Sequence, residues 1–242
     1  MTGLEVAAGA CIVAGALVQS ATGFGFSLLA APLTFAAVHP EPAVGLLLVL
    51  GTEVNLLTLA TERRRPDPLR RETALILAWS APGALAGVAL LRSLSALVLQ
   101  LAVTLGVLAT LAARHAGGSR AHFPAWAAGL SAGALTTATT TSGPPLLLHL
   151  LGRGAPPVRV RDTLTVCFLG MSVLGAIALA VTGTPALPDA LFVAVMIPGV
   201  ALGHLAGRRV FARLAASGRF ELVLNVALVL AVIAGLVGVL AR

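Results

Sequence analysis

Apolar runs of about 18 or more residues recur from one end of this chain to the other, each long enough to cross a hydrocarbon core of roughly 30 Å. A soluble fold has no place for so many such runs. Of the 242 residues, 58% are hydrophobic and only 10% charged, and the mean hydropathy is +0.99, leaving too little polar surface for water. A β-barrel would need polar and apolar residues in alternation, and these runs lack it. The reading is an all-α polytopic membrane protein, with the lipid bilayer as its solvent.

Its formal charge of +7 would suggest a nucleic-acid partner in a soluble protein. All sixteen basic residues here are arginines, and they sit in short connections between apolar runs. That placement is a topology signal. Tyrosine is absent, aromatic and basic residues do not interleave, and no nucleic acid is expected as a partner. Cys11 and Cys167 lie singly in apolar runs without metal-ligand spacing, which reads as small core residues. No metal or cofactor is expected. Ala8-Gly-Ala-Cys11 lacks a preceding basic region, so the first run is expected to stay as a helix rather than be cleaved as a signal.

The apolar segments run over 4–38, 42–61, 73–91 and 94–113, then, after a connector at 114–122, over 123–151, 163–182, 190–206 and 220–240. Two of them, 4–38 and 123–151, are interrupted. The first break is Gln19-Ser-Ala-Thr-Gly-Phe-Gly-Phe-Ser27, and the second is Thr136-Thr-Ala-Thr-Thr-Thr-Ser-Gly-Pro-Pro145. A shift of 118 residues lays Gly15 on Gly133, Thr22 on Thr140, Gly25 on Gly143 and Leu28 on Leu146; a shift of 116 lays Pro82-Gly83 and Gly87 on Pro198-Gly199 and Gly203. The order of segments repeats too. The expectation is two transmembrane repeats, 1–116 and 117–242.

Segment 4–38 would be about 52 Å long as one helix at ~1.5 Å per residue, too long for a single crossing. If both interrupted segments are hairpins, the loops at 62–72, 113–123, 152–161 and 207–219 share one side and hold fourteen of the sixteen arginines. Single crossings would split them eight to eight. The positive-inside rule prefers hairpins. Each half is then a hairpin plus three transmembrane helices, in eight to ten membrane segments overall. The two halves would be inverted in topology, with both termini outside the cytoplasmic membrane, an arrangement common among transporters.

Broken helix at membrane depth is tolerated where it is buried in protein or lines a cavity, and paired breaks mark transporter sites. Gly23 and Gly25 allow a sharp turn. A helix resuming near Phe26 would aim unpaired N–H groups and its positive dipole end at the tip, with Ser20, Thr22 and Ser27 adding hydroxyls. The second break offers Thr139, Thr140, Thr141, Ser142 and Gly143, with Pro144 and Pro145 suited to a first helical turn. Two such N-termini can hold a small anion without an arginine. The competing reading is that these small residues only pack helices together.

Glu53 is the one acidic residue well inside a plain segment. A buried carboxyl there is a candidate coupling group; the alternative is a neutral Glu53 bonded to Asn55 or a neighbouring helix. His149 and His204 read as packing or interfacial residues, Arg161-Asp162 and Arg219-Phe-Glu221 as charges at segment edges, and Trp79 and Trp126 as interfacial anchors.

At its two breaks the chain resembles the TauE/SafE family of sulfite and organosulfur-anion exporters, whose two related halves each open with a glycine-rich motif. The resemblance is carried by Gly15 and Thr22-Gly-Phe-Gly25 ahead of Pro32, by Gly129 and Gly133 leading to Ser142-Gly-Pro-Pro-Leu146, and by Arg161-Asp-Thr163. It extends over essentially the whole chain. The phenylalanines of the first motif stand where the family often has a run of glycines, a departure that bears on substrate more than on fold. The resemblance implies secondary export of a small anion such as sulfite, sulfoacetate or a related sulfonate, and leaves room for proton or ion coupling and for a homo-oligomer. Two other readings compete. One is a membrane assembly subunit without transport. The other is an intramembrane serine hydrolase, with Thr140-Thr-Ser-Gly143 one glycine short of a G-x-S-G motif and His204 as base.

Overall fold

The computed structural model describes residues 3–62, 64–95, 123–184 and 190–217, with isolated positions at 97–99, 101, 102, 105, 108, 229 and 233. Eight helices are defined among them: α1 (Gly3–Thr22), α2 (Phe26–Ala37), α3 (Pro40–Thr61), α4 (Arg70–Ser93), α5 (Ala125–Thr139), α6 (Gly143–Leu151), α7 (Pro157–Val181) and α8 (Ala190–Ser217). Both interrupted segments break where glycine and hydroxyl residues cluster, and the first helix resumes at Phe26 as expected. Most of segment 94–113, all of the 114–122 connector with the 116/117 boundary, and nearly all of segment 220–240 lie outside the described residues.

Five of these helices, α1, α3, α4, α7 and α8, are long and apolar enough to cross a membrane. The chain is thus a multi-pass helical membrane protein. By contrast α2, α5 and α6 have 12, 15 and 9 residues. At ~1.5 Å per residue they reach about 18, 22 and 14 Å, short of a roughly 30 Å core. The breaks after α1 and α5 therefore have short helices on at least one side, as segments that stop partway through a bilayer must.

Two connections differ from the sequence reading. The stretch 207–219 was expected as a loop, but α8 continues through Arg208 and Arg209 to Ser217. Arginine is a good helix former, and its long stem lets the charge reach polar surroundings while the backbone stays helical. Likewise α7 starts at Pro157 and α4 at Arg70, so Arg159 and Arg161 are helical residues rather than loop residues.

Packing relies on close backbone approach. The most extensive contacts join α4 to α5 and α1 to α8; α3 packs on α7, and each broken pair, α1–α2 and α5–α6, packs on itself. Side chains added at Gly83 or Gly87 of α4 would strike the carbonyls of Leu130 or Ala134, and side chains at Gly129 or Gly133 of α5 would strike those of Ile76 or Ser80. On the other side, Gly203 and Gly207 of α8 lie against the carbonyls of Val13 and Leu17 of α1. Lipid supplies no hydrophobic force between helices, so small residues that let backbones touch supply the van der Waals contact instead. Large apolar residues such as Leu56, Leu85, Ile177, Leu191 and Leu202 are exposed on the outside of the bundle, where lipid tails would meet them.

Candidate functional site

After Thr22 the backbone takes left-handed conformations at Gly23 (φ 87°) and Gly25 (φ 108°), which a side chain would resist. The Gly23 N–H closes the end of α1 on Gln19 O (2.7 Å), and the Thr22 hydroxyl lies within donating distance of Val18 O (2.8 Å) and Phe24 O (2.7 Å). The chain folds back far enough that a Cβ on Gly15 would meet Phe26 O at 2.5 Å. Gln19 then ties the turn to α3. Its Oε1 accepts the Phe26 N–H (3.1 Å), and its Nε2 donates to Asn55 Oδ1 (2.8 Å). Asn55 Nδ2 in turn donates to Gly51 O (2.8 Å).

The second break turns at Thr140, with φ 60°, the one described non-glycine residue in the left-handed region. For a β-branched residue this is a strained conformation. Its N–H donates to Thr136 O (3.1 Å) and its hydroxyl to Thr139 O (2.6 Å), while the Thr139 and Thr141 hydroxyls pair at 2.6 Å. Pro144 and Pro145 occupy the first turn of α6. Neither has an N–H, so this terminus presents the Gly143 amide and nearby hydroxyls instead.

The two breaks meet. Phe24 of the first lies 3.4 Å from where a Cβ on Gly143 of the second would stand, while Phe26 packs over Gly51. Between them is a cavity lined by Gln19, Gly25, Phe26 and Ser27, by Gly51 and Asn55 of α3, by Thr136, Thr140, Thr141, Ser142 and Gly143, and by Phe168 and Ser172 of α7. About 40 Å³ of it is open to the centres of water-sized molecules. The lining residues Leu47 to Asn55 straddle the middle of the 22-residue α3, and Phe168 and Ser172 the middle of the 25-residue α7.

Of the residues singled out from sequence, Gly25, Ser27, Thr140, Thr141, Ser142 and Gly143 line this cavity; Ser20, Thr22, Gly23, Thr139 and Glu53 do not. The Ser20 hydroxyl is hydrogen-bonded to His204 Nδ1 (2.8 Å), and Gly23 is backed by the Arg161 side chain, 2.6 Å from where its Cβ would lie. Sequence reasoning missed Gln19, Asn55 and Ser172 as cavity residues. The available signal was an amide or hydroxyl inside an otherwise apolar span. Asn55 does not bond Glu53, and Glu53 Oε2 is buried without a partner among the described residues.

Arg161 and Asp162 lie near the start of α7, as segment-edge charges would, and each is only 4% exposed. Asp162 accepts both Arg64 guanidinium nitrogens (2.7 and 2.6 Å) and the Asp67 N–H (2.8 Å). Arg161 pairs with Glu62 and donates to Ser20 O (3.1 Å). The residues after α3 fold over the start of α7, and each buried charge finds an opposite one, the condition under which burial is tolerated. Hydrogen bonding to Asp162 also raises the Arg64 pKa.

His204 bridges Ser20 and Thr61 Oγ1 (2.9 Å), and His149 lies between Phe123 O (2.7 Å) and Glu72 Oε2 (2.9 Å). Both are structural partners here. No hydrogen bond joins His204 to Ser142 among the described residues. Trp79 and Trp126 stand side by side at the exposed surface, ring centroids 6.2 Å apart. Arg219 and Glu221 lie outside the described residues.

Membrane-length helices packed with two broken helices whose turns line one cavity define a multi-pass membrane protein with the organisation of a transporter. The comparison with known families agrees. The family described as sulfite exporter TauE/SafE matches residues 7–237, and the chain belongs to it. Members of that family are transporters, not enzymes, which sets aside the serine hydrolase reading. No curated protein and no solved structure matches the chain.

Proposed function

We propose that the protein is a secondary exporter of small sulfur-containing anions, sulfite or related sulfonates, and that it holds the anion between the two helix breaks near the membrane midplane. The observation that carries this reading is the convergence of both breaks on one cavity. Gly25, Ser27, Thr140, Thr141, Ser142 and Gly143 would contact the anion. Ser20, Thr22, Gly23 and Thr139 would hold the turns in shape. Family membership supports the substrate class and the direction.

The architecture is read as two inverted-topology repeats, 1–116 and 117–242. Its support is the reciprocal packing. The first helix of each half lies on the glycine-bearing helix of the other, α1 on α8 and α5 on α4, with α3 and α7 facing each other. Glu53 is proposed as the coupling group, since its buried and unpartnered carboxyl oxygen suits a residue that takes up and releases a proton.

Reconstitution tests the reading. Proteoliposomes loaded with radiolabelled sulfite should release it only when the protein is present, and Ser142→Ala together with Thr141→Val should slow release at least about tenfold. Absence of protein-dependent flux of sulfite and of short sulfonates would favour the assembly-subunit reading.

A further inference from the structure

We infer that the cavity takes its anion singly charged, as hydrogen sulfite or a short alkanesulfonate, and discriminates against dianions; this rests on the anion site proposed above. Among the described residues, no guanidinium, imidazole or carboxylate lines the cavity. On the elements around it such groups are Glu5 on α1, Glu41 and Glu53 on α3, His149 on α6, and Arg159, Arg161 and Asp162 on α7. None of them reaches the wall. Arg161 passes behind the first break, but its guanidinium is paired with Glu62.

Among the described residues, the fixed positive charge left at the wall is that of the helix termini. The starts of α2 and α6 both border the cavity. Each such terminus amounts to roughly half a unit charge, so two offset about one negative charge. A dianion doubles the attraction, whereas the cost of removing it from water rises about fourfold, with the square of the charge. The balance favours one charge.

The walls point independently to a ligand. Ser142 and Ser172 are 6% and 8% exposed, line the cavity, and have no hydrogen-bond partner for their hydroxyls among the described residues. Both hydroxyls are therefore left to whatever occupies the cavity, water or an anion. The Gln19 and Asn55 amides each donate one hydrogen to protein and have a second to offer. Every donor is neutral. The space of about 40 Å³ open to the centres of water-sized molecules admits a small anion. Sulfoacetate, doubly charged, fits poorly on the count of charge.

Isothermal titration of the detergent-purified full chain separates the possibilities, with methanesulfonate as a permanent monoanion and sulfate and thiosulfate as dianions. Methanesulfonate should bind saturably and about equally between about pH 6 and about pH 8, whereas the apparent sulfite affinity should fall by up to about tenfold per pH unit as the ligand loses its proton. Sulfate and thiosulfate should bind at least about tenfold more weakly. Ser142→Ala and Ser172→Ala, each checked for unchanged elution and helicity, should both weaken methanesulfonate. Dianions binding as tightly as methanesulfonate, with the same sensitivity to both variants, would overturn the charge selectivity and leave the site standing. Methanesulfonate binding that ignores both variants, or no saturable binding at all, would overturn the site as well.

Discussion

Phe24 and Phe26 show how single residues shape the first break. Each fills a different apolar cluster, Phe24 with Leu146 and Phe168, Phe26 with Leu47 and Leu50. One side chain faces the opposite break and the other faces α3, so the pair fixes the turn between its neighbours. Thr140 carries strain that glycine would relieve, and Thr140→Gly should raise stability by about 1 kcal/mol while slowing transport. Chemical denaturation read alongside flux checks both halves of that statement; a loss of stability would mean that the hydroxyl bond to Thr139 O outweighs the strain. Gly23→Ala should do the reverse, costing about 1–3 kcal/mol, because its Cβ meets Arg161 and its φ is positive. For Glu53, a Gln variant should transport at a rate indifferent to an imposed pH gradient. If Glu53→Gln kept the wild-type response, the coupling role would fall. Gly23, Gly25 and the hydroxyls were legible in the sequence because backbone breakers act locally. Gln19 and Asn55 were not, since each acquires meaning only from the other, 36 positions away.

Among the helices, the breaks were readable from glycine and proline, and several starts and ends were not. α8 outruns its apolar stretch because arginines extend a helix as readily as they end a span. What holds the helices together is the pattern of glycines at four-residue spacing. Gly87→Leu would drive a side chain into Ala134 O and Thr137 Oγ1 and should leave little monodisperse protein after purification. Gly3→Leu, with open space around it, should elute like the wild type. Equal behaviour of the two variants would show that close approach of α4 and α5 is dispensable. The residues after α3 belong to this scale as well. By clasping Asp162 through Arg64 and meeting Arg161 through Glu62, they join the end of α3 to the start of α7 and to the back of the first break.

For the molecule as a whole, the proposed inverted repeats of five elements each would require both termini on one face, opposite the arginine-rich connections. In a chain with Cys11 and Cys167 replaced by serine, Gly3→Cys and Arg242→Cys should both react with an impermeant maleimide added outside intact cells. Arg65→Cys should react only after permeabilisation. Labelling of the two termini from opposite faces would remove the inverted arrangement while leaving family membership untouched. Membership itself spans residues 7–237, so it belongs to this scale and not to any one motif.

Composition and hydropathy determined the solvent of this protein and its helical class, because lipid forbids unsatisfied backbone and leaves few alternatives, and clustered glycines, prolines and hydroxyls placed its two breaks. Only the tertiary structure decided that the breaks meet, that a glutamine and an asparagine bind the first of them to α3, and that Arg161 and Asp162 are buried and paired. Those facts depend on contacts between residues far apart in the chain, and hydropathy assigns a charge to water until a partner is brought to it.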